Sequence, residues 1–273
     1  MRTLKGLVVV AAAVVAAFAP GHWALAQLPG GTVNTPQPLK PYAYVATANR
    51  HPGVVVRVGS TGEMVIFKRP GNAYLTTFNF AKPQPGVKGI APAYTLYFGV
   101  SIDGHSIWRG IGANNEAVVY TDKDYIRAVR VHPDGTVYFS KAQKGGPNAI
   151  YRLDANGAAT VYATVDPTKV WGWRGSFAFN KAGGLFIADG AGATGKIYEY
   201  GPDGPDGPAT PFQYYDKPAS ASGFWGFCFP DDTPWLYFTD HGNRVYKGYP
   251  GKQPTVLYQS PNAGDWFTDV QVR

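Results

Sequence analysis

Five copies of one strand pattern limit what this chain can fold into. Each copy has an aromatic strand, a polar loop, a second strand, a glycine-containing turn and a third strand. The copies are YAYVATANRHPGVVVRVGSTGEMVIF, TLYFGVSIDGHSIWRGIGANNEAVVY, TVYFSKAQKGGPNAIYRLDANGAATVY, GLFIADGAGATGKIYEYGPDG with ATPFQYY, and WLYFTDHGNRVYKGYPGKQPTVLY. The equivalent aromatics are Tyr44, Tyr97, Tyr138, Phe186 and Tyr237, at intervals of 53, 41, 48 and 51 residues. A strand-built repeat of ~40–50 residues marks the blades of a β-propeller.

A fourth strand precedes four of the five triplets, at 74–80, 125–131, 175–180 and 223–229. The first triplet has none upstream, while the last segment, 265–272 (DWFTDVQV), has no triplet after it. Circular closure accounts for both, because the C-terminal strand then becomes the innermost strand of the first blade and removes the open edge. The expected fold is therefore all-β: a five-bladed propeller over residues 42–273. A sixth blade would have to come from 81–93 (AKPQPGVKGIAPA). The turns agree, since His132-Pro133-Asp134-Gly135 and Asp154-Ala155-Asn156-Gly157 supply the positive φ that hairpins need. With Gly 34, Pro 23 and 15% aromatic residues, the chain suits short strands and tight turns.

The first 26 residues read as a signal peptide. Arg2 and Lys5 precede an apolar run from Gly6 to Ala19, and Ala24-Leu25-Ala26 is a cleavage site with the mature start at Gln27. The run is shorter than the ~20 residues of an ordinary spanning helix, so no membrane span is expected after cleavage. Export to the periplasm or outside the cell follows. Residues 27–41 are rich in Pro and Gly and read as a linker or strap. Removing Arg2 and Lys5 takes the formal charge from +7 to +5, and no Lys/Arg run offers a nucleic-acid footprint. The single cysteine, Cys228, lies between Phe227 and Phe229 and reads as a small core residue.

In such a ring, two sets of loops meet at one end of the channel. One joins the second and third strands of each blade, and the other leads into each innermost strand. Function is expected there, on loops held by a rigid scaffold. The candidate ligand-binding residues are Arg127, Trp173, Arg174, Trp225, Trp266, Asp240 and His241. Aromatic faces stack on sugars and flat ligands, and Arg forks hold carboxylates or phosphates. Packing between blades is the alternative use of each Trp. A polar loop is the plainer reading of Asp240-His241. No G-x-S-x-G, H-E-x-x-H, EF-hand or phosphate loop is present, so no catalytic residue is assigned.

Leu185-Phe186-Ile187-Ala188-Asp189 with Lys196-Ile197-Tyr198, and Leu236-Tyr237-Phe238-Thr239-Asp240 with Arg244-Val245-Tyr246, resemble the blade core of NHL-repeat propellers. They also resemble the gluconolactonase/regucalcin-like and strictosidine-synthase-like group. The resemblance covers most of 42–273 and implies a propeller, typically of six blades. In its lactonase-like members it also implies a divalent cation such as calcium, held by Glu, Asn and Asp, with the Asn opening an inner strand as Asn-Gly. The matching positions here are Arg127-Ala128, Gly175-Ser176, Trp225-Gly226 and Thr76-Thr77. None is Asn-Gly, so no metal ligand and no cofactor is assigned.

Three functional expectations follow. The first is an exported propeller that binds a glycan, an aromatic compound or a small anion at the Trp/Arg-lined channel mouth. The second is a metal-dependent lactonase or esterase, and the third a protein-interaction platform.

Overall fold

Each blade is built from four consecutive antiparallel strands, except that the first borrows its innermost strand from the C-terminus. The computed structural model describes residues 43–47, 54–59, 62–68, 75–81, 95–100, 104–110, 116–141, 148–165, 175–188, 196–200, 212–216, 224–230, 235–240 and 242–272. The signal-peptide and strap readings at 1–41 lie outside them.

From the ring centre outward, blade 1 is β20 (Phe267–Val272), β1 (Ala43–Thr47), β2 (Val54–Gly59) and β3 (Gly62–Lys68). Blade 2 is β4 (Leu75–Ala81), β5 (Thr95–Val100), β6 (Ser106–Gly110) and β7 (Glu116–Thr121). Blade 3 is β8 (Ile126–Val131), β9 (Val137–Lys141), β10 (Ala149–Leu153) and β11 (Ala159–Thr164). Blade 4 is β12 (Phe177–Phe179), β13 (Leu185–Ala188), β14 (Lys196–Tyr200) and β15 (Phe212–Asp216). Blade 5 is β16 (Gly226–Cys228), β17 (Leu236–Thr239), β18 (Arg244–Gly248) and β19 (Thr255–Gln259).

The expected closure is present. β20 pairs antiparallel with β1, setting Tyr44 opposite Gln271 and Val45 opposite Val270. The inner strands then pack in a ring: β4 on β8, β8 on β12, β12 on β16, β16 on β20 and β20 on β4. Ala81 of β4 pairs with Thr95 of β5, so the chain between them leaves and re-enters one sheet, and the count is five blades. Every blade also carries a bulge between its third and fourth strands, at Val55/Val56, Ile107/Trp108, Ile150/Tyr151, Ile197/Tyr198 and Val245/Tyr246. A bulge increases local twist, which lets the outer strand turn away from the ring.

The hydrophobic core lies between blades. Ala46 and Val55 of blade 1 pack with Leu75, Phe78 and Phe98 of blade 2. Ile107 of blade 2 packs with Ile126, Val129 and Phe139 of blade 3. Tyr138 and Ile150 of blade 3 meet Phe177 and Ile187 of blade 4. Phe186 and Ile197 of blade 4 meet Phe227 and Phe238 of blade 5. Cys228 and Tyr237 of blade 5 meet Phe267 and Val270 of blade 1. Both faces of a blade are thus buried, which is why its strands do not alternate cleanly between polar and apolar. Burial pushes the Cys228 thiol up to about 12, although Arg130 pulls the other way. The thiol is a core group rather than a nucleophile.

One ion pair sits where the five inner strands converge. Arg130 of β8 forks onto Asp269 of β20, with Nη1 donating to Oδ2 at 2.7 Å and Nη2 to Oδ1 at 2.9 Å. Both side chains are 2% exposed. Arg130 Nε donates to the Phe177 carbonyl of β12 at 2.8 Å. From β4, the Thr77 hydroxyl and the Phe78 N–H donate to Asp269 Oδ2 at 2.8 and 3.1 Å. β16 comes close with Gly226, where a Cβ would lie 2.5 Å from the Asp269 Cα, so no side chain fits. Loss of one partner from such a pair costs about 3–5 kcal/mol, because the other charge stays buried.

If β20 closes the ring, a chain ending at Trp266 should lose cooperative thermal unfolding and bind a hydrophobic dye at room temperature. An open solenoid would instead keep a sharp transition in circular dichroism after the same truncation.

Candidate ligand-binding site

All five inner strands run in from the same end of the ring, and their first residues form its mouth. Three of them carry a bulge at that point. Leu75 pairs with Val100 and Thr77 with Gly99, leaving Thr76 as the extra residue. Ile126 pairs with Lys141 and Ala128 with Ser140, leaving Arg127. Phe267 pairs with Thr47 and Asp269 with Ala46, leaving Thr268. Bulges at a barrel or ring rim re-aim side chains in this way. Trp225 and Gly175 hold the same place in blades 5 and 4, Trp225 one residue before the start of register with β17 and Gly175 two before that with β13. The Trp225 N–H donates to the Thr239 carbonyl, and the Ala188 N–H to the Ser176 carbonyl.

The equivalent positions are not used alike. The Thr268 hydroxyl lies 3.0 Å from the Leu75 carbonyl and 3.3 Å from that of Ala46, tying blade 1 to blade 2. Gly175 has φ +92°, and a Cβ there would fall 2.3 Å from the Arg127 Cβ, so glycine lets the two strand starts touch. The Ser140 hydroxyl joins them, accepting from the Ala128 N–H at 3.1 Å and donating to the Gly175 carbonyl at 2.6 Å. Arg127 is exposed, with its guanidinium 4.5 Å from the centre of the Tyr125 ring. Trp225 is half-buried. Trp266 is 48% exposed, but it lies two residues before the bulge position that Trp225 matches. The repeat of Trp across consecutive strand starts is therefore a likeness in sequence and not one of register.

Asp240 is buried and accepts from the Tyr246 hydroxyl at 3.1 Å and the Gly242 N–H at 3.0 Å, so it anchors the second-to-third-strand loop of blade 5. Trp173, Arg174 and His241 lie outside the described residues. His132 is in the turn between β8 and β9, at the far end of the blade, 2.9 Å from Asp134.

Beside Arg127, on the same rim, is a cluster that sequence reasoning did not single out. Lys141 Nζ lies 2.5 Å from Asp122 Oδ2, 3.6 Å from Asp124 Oδ2 and 4.3 Å from the centre of the Tyr151 ring. The Tyr120 hydroxyl donates to Asp122. Burial alone would push the Asp122 carboxyl up, but donation from Lys141, Tyr120 and the Asp124 N–H outweighs it and holds the group below the ordinary carboxylate range. Burial, then the bond to Asp122, pushes the Tyr120 phenol up. This cluster fixes the strand start that carries Tyr125 and Arg127.

Arg130 was also missed. Among the described inner strands, the charged residues are Arg127, Arg130 and Asp269. A lone Asp in one inner strand and a spare Arg in another were the available signal, since buried charges must pair.

The divalent cation that the blade resemblance implies does not fit the residues present. The five mouth positions offer a hydroxyl, a guanidinium, a glycine, an indole and a second hydroxyl. Both oxygens of Asp269 are taken by Arg130 and by donors from β4 and β20. Among the described residues, no three His, Cys, Asp or Glu side chains stand together as a metal would require.

No known family model matches the chain, and neither does any curated protein sequence. Solved structures similar to it include gluconolactonase- and regucalcin-like proteins. They include a gluconolactonase from Xanthomonas campestris at 13% identity, with 81% of this chain and 77% of that one covered and a TM-score of 0.49. A calcium-binding protein, regucalcin, from Agrobacterium tumefaciens has 12% identity, 81% and 75% coverage and a TM-score of 0.47. At such identities no activity transfers to this chain.

The low carboxyl of Asp122 has a defined pH signature. A group whose folded value lies below its unfolded value of ~3.9 stabilises above that value and loses its contribution as pH falls through the folded one. Chemical-denaturation midpoints measured from pH 6 down to 2 should therefore fall less steeply for Asp122→Asn than for the parent. Parallel acid limbs would show that Asp122 is not stabilised by the fold.

Proposed function

We propose that this protein is an exported, non-catalytic binding propeller, which takes a small flat or cyclic ligand bearing an anionic group at the ring mouth. Glycans with a carboxylate, aromatic acids and small organic anions share that chemistry. The observation that carries the reading is Arg127. A bulge sets it out of register on a rigid inner strand, Gly175 packs against its stem, the Tyr125 ring lies beside its guanidinium, and it is exposed; Trp225 holds the equivalent place in blade 5 and Trp266 is exposed two residues before that place in blade 1. An arginine fork recognises a carboxylate by two parallel hydrogen bonds, and an indole face takes up the ring it is attached to. The export half of the proposal rests on Arg2, Lys5 and the Ala24-Leu25-Ala26 site. A lactonase or esterase would need an oxygen-donor set at positions held by Arg127, Gly175 and Trp225, and we assign no such chemistry.

The test is a binding screen by intrinsic tryptophan fluorescence, using uronic acids, aromatic carboxylates and their neutral analogues on protein recovered from the extracytoplasmic fraction with Gln27 as its first residue. Arg127→Ala should weaken the best anionic ligand about 10- to 100-fold, since a hydrogen bond to a charged group contributes ~1.5–3 kcal/mol. Trp225→Ala should weaken neutral and anionic forms alike. Binding unchanged in both variants would remove the site from the mouth.

A further inference from the structure

A carboxylate at the centre of the ring needs a positive partner, because an isolated buried charge is not tolerated. Arg130 supplies it, and its hydrogen-bond partners are all hard oxygens. Its guanidinium donates to both oxygens of Asp269 and to the carbonyls of Val129 and Phe177, at 2.7–2.9 Å. The Thr77 hydroxyl is 3.1 Å from Nη1 and the Phe78 carbonyl 3.4 Å. One carboxylate, three backbone carbonyls and a hydroxyl form the kind of set that calcium takes, given room and no competing cation. Here a side chain of the same fold fills the room. These oxygens come from four inner strands, and Gly226 of the fifth closes the cage against Asp269.

We infer that Arg130 is the built-in cation of this ring: it occupies a latent hard-cation site on Asp269, makes the propeller independent of metal, and leaves a divalent-ion site behind when its guanidinium is removed. The inference concerns the ring centre and is independent of the ligand reading at the mouth. It requires no reaction. It predicts an exchange of one buried counter-charge for another, with the carboxylate, carbonyls and hydroxyl unchanged.

Thermal melting of the full mature chain, in chelator and in millimolar calcium chloride, tests it. The parent should melt at the same temperature in both. Arg130→Ala in chelator should melt about 10 °C lower, from the loss of one partner of a buried pair in a domain of this size. Calcium should restore several of those degrees along a saturable titration. The double variant Arg130→Ala/Asp269→Asn should show no calcium response, which ties the ion to this carboxylate. A parent that loses stability in chelator would overturn the inference. So would an Arg130→Ala chain that gains nothing from calcium, including one that stays unfolded when refolded in it. A calcium response retained in the double variant would overturn it as well.

Discussion

The bidentate contact between Arg130 and Asp269 draws on the inner strands of all five blades. β8 and β20 supply the charges, β4 the hydroxyl and N–H that complete the carboxylate, and β12 a carbonyl for the guanidinium Nε. β16 supplies the missing side chain at Gly226, without which the pair and the fifth blade would collide. Each blade is held to its neighbours by an apolar cluster. Those clusters fix neighbours two at a time and would tolerate a range of blade numbers. A single short ion pair reaching across the centre does not. It sets the distance between β8 and β20, and thereby how tightly the inner strands can close.

The mouth inherits its geometry from this centre. Thr77, which bonds the ion pair, directly follows the bulge residue Thr76, and the exposed Arg127 lies three residues before Arg130 on the same strand. Bulges at three of the five strand starts leave one residue of each out of register, and of these Arg127 is exposed while Thr268 and the Thr76 hydroxyl are buried. Because the positions are equivalent but the residues differ, the rim is chemically uneven. Threonine at 268 stitches two blades, glycine at 175 lets two strands touch, arginine at 127 is exposed and tryptophan at 225 is half-buried.

The fold was legible in the sequence because the repeat carries it. Tyr44, Tyr97, Tyr138, Phe186 and Tyr237 hold the same place in five sheets, and the unpaired C-terminal strand announced the closure. The equivalence of Arg127, Gly175, Trp225 and Thr76 was also readable, since it follows from aligning the blades. The ion pair was not. Its partners are 139 residues apart, and the bulge at Arg127 breaks the period-two count that would tell which arginine of β8 points inward. Asp240 fits the plainer of its two readings, a polar loop residue. A loop carboxylate near the mouth looks available in sequence, but it is buried under Tyr246 and spent on the turn.

A double-mutant cycle on Arg130 and Asp269 tests the central role of the pair most directly. The parent, Arg130→Met, Asp269→Leu and the double variant would be compared by equilibrium denaturation in chelator. If the pair is the hub, each single variant leaves a charge stranded among five strands and loses about 3–5 kcal/mol, while the double variant is more stable than either. Additive losses, with the double variant the least stable of the four, would mean that the two residues act separately and that the apolar interfaces alone hold the ring.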